Sequence, residues 1–219
     1  MANKQERVRE STLYRLDRHV GFNARVEPYW YSFERMKASM GFFERWRERR
    51  RMKRVCAAIR EGLTRRGAEA SDWETRSGQC VCNLRVARTG LLAELQELLR
   101  QEVPDGVEQW AHVMAQKDRA SFLLPVAFEE PFGVGPGSVT SAPRILEELA
   151  DINRRLRIDE KFALAKAKKM DYIDATEKDI SLYESKFGTI EGFWAKFSYV
   201  LLRKLADTSR ESGLPALFA

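Results

Sequence analysis

The chain has 219 residues, of which 38 are basic and 32 acidic, for a formal net charge of +6. That length accommodates one medium domain with a substantial core, to which 12 Phe, 5 Trp and 6 Tyr contribute. No stretch approaches about eighteen consecutive apolar residues, the start MANKQERVRE has no apolar leader core, and three cysteines are too few for a disulfide framework. A cytoplasmic protein is therefore expected.

Charge is unevenly placed. Residues 1–66 carry 18 basic and 8 acidic side chains, 67–142 carry 6 and 11, and 143–219 carry 14 and 13. These boundaries divide the chain into a basic helical region, an acidic mixed segment and a three-helix C-terminal segment, read together as one domain. The fold class expected is mainly α, a helical bundle with two short strands at most in the middle third.

In chain order, Leu13, Leu16 and Val20 share one side of a first helix that Gly21 closes. From Pro28, the stripe of Phe33, Met36, Met40 and Phe43 begins a second, resumed by Met52, Val55, Cys56, Ile59 and Leu63 and ended by Gly67. Between Trp46 and Met52 the stripe lapses, so a continuous helix would have to project from the body or rest on something charged. The lapse lies in the densest basic run of the chain, 44–66, which includes Arg45, Arg47, Arg49, Arg50, Arg51, Lys53, Arg54, Arg60, Arg65 and Arg66. Tyr29, Trp30, Tyr31, Phe42, Phe43 and Trp46 are interleaved with the arginines of this N-terminal third.

In the middle third, Cys80, Cys82, Leu84 and Val86 alternate with Asn83 and Arg85, the period of a half-buried strand over 79–86. Thr89 opens a helix through Leu92, Leu95 and Leu99 that stops before Pro104, and a short helix follows over 107–114. The apolar run 121–128 suits a second strand, which Pro125 confines to an edge or breaks. The segment 132–141, FGVGPGSVTS, places three glycines before a helix N-terminus, where backbone N–H groups can receive phosphate. It lacks the Gly-Lys-Ser/Thr ending of a P-loop, and Ser138 replaces the third glycine of the dinucleotide fingerprint, so a flexible connector is the preferred reading.

In the last third, Pro143 suits a first helical turn, and Ile145, Leu149, Ile152 and Leu156 predict a helix over 143–156. Asp159 and Glu160 start a further helix, along which Phe162, Ile173, Ile180, Tyr183 and Phe187 lead to Gly188. Thr189 caps a third, with Ile190, Phe193, Trp194, Phe197, Leu201 and Leu205, ended by Gly213 and Pro215. The apolar end GLPALFA is expected to tuck against the body.

Few residues invite a chemical reading. Cys80 and Cys82 make half of a zinc site, but only Cys56, His19 and His112 remain as further Cys or His ligands, at no recognised spacing, so neither metal nor cofactor is expected. No Glu-x-x-His unit or nucleophile motif occurs, and His112 reads as a packed or surface residue. No catalytic residue is assigned; Glu129 and Glu130 are the acids best placed for an enzyme site beside 132–141.

The preferred function is binding without catalysis, through a basic, aromatic surface over about 29–66 that engages an acidic protein partner. Arg45, Trp46, Arg47, Arg49, Arg50, Arg51, Lys53 and Arg54 are its contact residues, since Trp, Tyr and Arg are favoured interface anchors. Nucleic acid is the closest alternative, because guanidinium groups neutralise phosphates while rings stack on bases. A membrane surface ranks below both, and an enzyme at 132–141 is the alternative from another class. Against all of these stands a plain solvated face, or a basic third neutralised by the acidic middle of the same chain.

Overall fold

Alternation at residues 82–86 produces a strand in which Cys82, Leu84 and Val86 are buried while Asn83 and Arg85 are half-buried. Among the described residues it is one of seven strands in a single mixed sheet. The structure is a computed structural model that describes residues 22–26, 41–69, 80–119, 121–158, 172–187 and 192–218. The strands are β1 (Phe22–Val26), β2 (Cys82–Val86), β3 (Ser121–Leu124), β4 (Phe132–Val134), β5 (Gly137–Ser141), β6 (Tyr172–Ala175) and β7 (Ala216–Phe218), in the order β4-β5-β3-β7-β1-β2-β6. β2 with β6 and β3 with β5 run parallel, and the other neighbours are antiparallel. The helices are α1 (Phe42–Arg65), α2 (Leu91–Glu102), α3 (Ala111–Ala115), α4 (Ala142–Leu156), α5 (Glu177–Phe187) and α6 (Phe193–Ser212), with a 3-10 turn at Val107–Trp110. Among the described residues, no helix is long and apolar enough to cross a membrane.

The expected bundle with two strands at most is thus corrected to a mixed α/β fold. The missed strands are short, and the partners of β1, β6 and β7 lie far away in sequence, so no local period announces them. Ile173, expected on a helix face with Ile180, sits in β6, and α5 begins only at Glu177. The apolar end does tuck in, but as β7, an interior strand between β3 and β1. The segment 132–141 is the β4–β5 hairpin and not a flexible connector: Val134 pairs with Gly137, and Gly135 takes φ 59, which the two-residue turn favours in glycine. The helix expected over 143–156 is α4, with Pro143 in its first turn and the Ser141 hydroxyl accepting from Arg144 N at 3.3 Å. α6 ends at Gly213, φ 67, as its sequence predicts. The expectations on Leu13, Leu16, Val20, Phe33, Met36, Met40, Asp159 and Thr189 lie outside the described residues.

Alternation along β3 and β7 sorts the layers. Leu123, Ala216 and Phe218 belong to the larger core, where Leu91, Leu95 and Leu99 of α2 meet Tyr199, Leu202 and Leu205 of α6 and Ile145, Leu149 and Ile152 of α4. Leu124 joins the smaller core with Met52, Cys56, Ile59 and Leu63 of α1, against which Phe122 and Leu217 also pack. Successive strand residues point to opposite faces, so α1 covers one side of this half of the sheet and α2, α4 and α6 cover the other.

α1 approaches β4 closely at Gly62, where an added Cβ would lie well inside van der Waals contact with the Phe132 ring. That ring is held on other sides by Phe128, 5.6 Å between centroids, and by the Arg66 guanidinium at 4.5 Å. Gly62→Ala should therefore lower stability by up to about 2 kcal/mol, because overpacking at about 1–3 kcal/mol outweighs the gain of about 1 kcal/mol in helix propensity. A thermal melt checks the sign; a melting temperature above that of the parent protein would show that the ring yields.

Candidate protein-binding face

Trp110 closes the 3-10 turn and is buried, its indole N–H donating to Asp151 Oδ2 at 3.0 Å. His112, at the start of α3, is buried beside it. Its Nδ1 accepts from Ser141 N at 3.1 Å, which leaves Nε2 to donate to the Glu129 carbonyl at 3.0 Å. Both ring nitrogens are used by a neutral imidazole, and burial holds its pKa below the ordinary 6.5. The α4 residue Glu148 receives the N–H groups of His112 at 3.0 Å and of Val113 at 2.7 Å. Burial nevertheless pushes its carboxyl up to about 7, against the pull of those two donors.

Around this satisfied centre the side chains become acidic and exposed. Arg144 bridges Glu129 and Glu147, the latter at 2.6 Å, while Asp151 pairs with Arg155 at 2.9 Å and Arg154 at 3.5 Å. Glu108, Glu129, Glu147, Glu148 and Asp151 line one open groove of about 410 Å³ together with Trp110 and Arg144. Backward along the chain, residues 91–111 hold five acids, Glu94, Glu97, Glu102, Asp105 and Glu108, against the single cation Arg100. All five are exposed, and α2 carries the first three on a helix pinned by Leu91, Leu92, Leu95 and Leu99. The imbalance in 91–111 is readable in the sequence; its junction with Glu129, Glu147 and Asp151 is created by folding.

The basic residues singled out from sequence lie elsewhere. Arg45 is in the first turn of α1, and Arg47, Arg49, Arg50, Arg51, Lys53 and Arg54 are exposed along the same helix. Trp46, Arg47, Arg50, Lys53 and Arg54 are brought together around one shallow depression, with the Arg50 guanidinium 4.0 Å from the Trp46 ring. Arg51 pairs with Glu48 of its own helix at 3.8 Å. Nine residues separate Phe43 from Met52, about two and a half helical turns, so Phe43 points away from the buried stripe and is 78% exposed. It does not continue that stripe, as the spacing suggests it should.

Glu129 and Glu130 both lie exposed on the surface. The Glu129 side chain is 80% exposed and salt-bridged to Arg144, and Glu130 is exposed, offering its backbone carbonyl to Arg66 Nε at 2.8 Å. Cys80 Sγ lies 3.2 Å from the Cys82 carbonyl oxygen, and no group of three or more His, Cys, Asp or Glu among the described residues could hold a metal ion.

A family model described as "Putative DNA-mimic protein" matches residues 52–218. No curated protein and no solved structure matches the chain. A surface that stands in for DNA is anionic, so this match overturns the expected basic surface for an acidic partner and, with it, nucleic-acid binding. Residues 52–218 are net neutral, with 25 basic and 25 acidic side chains, whereas residues 1–51 carry 13 and 7. The whole excess of +6, including Arg45, Arg47, Arg49, Arg50 and Arg51, therefore precedes the matched region.

Proposed function

The chain belongs to the DNA-mimic family, and we propose that it acts on a DNA-binding protein by offering carboxylates where that protein meets phosphates. The family match carries this reading. The acidic face supports it, since Glu102, Asp105, Glu108, Glu129 and Glu147 are exposed on a rigid frame within the matched region.

Charge density explains why the face spans several elements. One strand of duplex DNA presents a phosphate for every 3.4 Å of axis, whereas exposed residues three apart on a helix rise about 4.5 Å. A single helix is too sparse, but α2, the 3-10 turn and α4 together thicken the row. The cations already there do not block it. Exposed ion pairs such as Arg100 with Glu97 contribute only about 0–1 kcal/mol, so a partner's Lys and Arg can displace them at small cost.

The triple substitution Glu102→Gln, Asp105→Asn and Glu108→Gln tests the reading with the immobilised protein and a panel of purified DNA-binding proteins. A true partner should be displaced by duplex DNA and should bind more weakly as salt rises. Three exposed contacts at about 0.5 kcal/mol each make the expected loss on the order of tenfold. Retention of the same partner by the triple variant, or retention that duplex DNA does not compete, would count against mimicry.

A further inference from the structure

The outward face of α1 falls outside the mimic reading, because an anionic binding surface gains nothing from it. Met52, Cys56, Ile59 and Leu63 fasten the helix to the sheet, and the opposite side presents Trp46, Arg47, Arg50, Lys53 and Arg54. Trp46 is 51% exposed, and Phe43 shares its side of the helix. From 43 to 54 this face runs about 17 Å. Its first turn is aromatic and the rest cationic, and the helix is fastened to the sheet only from Met52 onward, so its N-terminal half presents this face for contact with a surface.

We propose that the outward face of α1, Trp46 with Arg47, Arg50, Lys53 and Arg54, docks on an anionic bilayer. Charge complementarity selects the headgroups, and the indole favours a bilayer over duplex DNA. Trp is at home at the headgroup level, with its ring against acyl chains and its N–H toward water, while Lys and Arg hold lipid phosphates. Duplex DNA would engage the cations alone and leave Trp46 and Phe43 in solvent. The same chain would then hold its DNA-like face away from the membrane, on elements packed against the sheet's other side.

The test uses the full-length protein with vesicles of phosphatidylcholine, with and without phosphatidylglycerol. Co-sedimentation is expected with the anionic vesicles only, accompanied by a blue shift of tryptophan emission that Trp46→Phe removes. Reversing Arg47, Arg50, Lys53 and Arg54 to Glu should weaken binding by at least on the order of a hundredfold. These exposed positions should leave the thermal melt unchanged, which separates lost docking from lost folding. Absence of binding at low salt, equal binding to neutral vesicles, an unshifted Trp46, or a preference for duplex DNA would each overturn the proposal. The Glu102, Asp105 and Glu108 triple variant should bind vesicles normally, so failure here and failure of mimicry are told apart.

Discussion

Trp110→Ala is expected to lower unfolding stability by about 3–5 kcal/mol, the largest loss from any single truncation near the acidic face. The residue is 1% exposed and belongs to the larger core. Truncation removes a bicyclic side chain from a site walled by α3 and α4, which are fixed to one another through Glu148 and the N–H groups of His112 and Val113. That framework cannot collapse easily into the space. Asp151 would also lose its indole N–H donor, adding about 1 kcal/mol. Trp110→Phe keeps most of the packing and loses the hydrogen bond, so its cost should be about 1–2 kcal/mol. Urea unfolding distinguishes these outcomes: the midpoint should fall in the order Phe then Ala with little change in slope. An alanine variant within about 1 kcal/mol of the parent would show that neighbouring side chains refill the site. Because Glu108 precedes Trp110 by two residues, the alanine variant should also lose affinity for the partner proposed above, even where it remains folded.

What the sequence discloses follows from the range of the interactions involved. α2, α4 and α6 repeat apolar residues at helical spacing, as Leu92, Leu95 and Leu99 do, and a single helix face is decided within a few turns. β2 is equally visible through its alternation. β1, β6 and β7 are not, since each is three to five residues long and is stabilised by strands far away in the chain. Recognising β7 requires knowing that Ala216 pairs with both Val26 and Leu123.

The two charged surfaces differ in the same way. The arginine run is conspicuous because ten basic residues fall within 44–66, and the structure leaves most of that run exposed. Exposure does not assign a partner. The acidic face is dispersed over the 3-10 turn, the segment after β3 and α4, so Glu108, Glu129 and Glu147 meet only in three dimensions. Its one local trace is the excess of acids in 91–111. The Gly-rich segment misleads for a different reason: glycines at 133, 135 and 137 serve a hairpin, with positive φ at Gly135, and their spacing imitates a phosphate-binding loop.

Glu148→Gln should be progressively favoured over the parent protein as pH rises, by up to about 3 kcal/mol between about pH 5 and pH 8. The Glu148 carboxyl, ordinarily near 4.5, is pushed up to about 7 by burial. In the unfolded chain it ionises near 4.5, while the folded protein retains its proton until about 7. Its stabilising contribution is therefore fully present below 4.5 and is lost as pH rises to 7, a loss of roughly 3 kcal/mol. The substituted amide cannot ionise, yet its oxygen can still accept from the N–H groups of His112 or Val113. His112 contributes with the opposite sign. Its depressed pKa makes the neutral ring stabilising above 6.5, and that stability is lost as pH falls below 6.5. The parent thus carries two opposed slopes in the mildly acidic range, whereas Glu148→Gln keeps only the histidine slope and should lose stability more steeply on acidification. Denaturant midpoints for both proteins at about pH 5, 6, 7 and 8 resolve this. Parallel curves would show that the two backbone donors and Arg144 hold Glu148 ionised, making its charge part of the acidic face instead of a cost concealed beneath it.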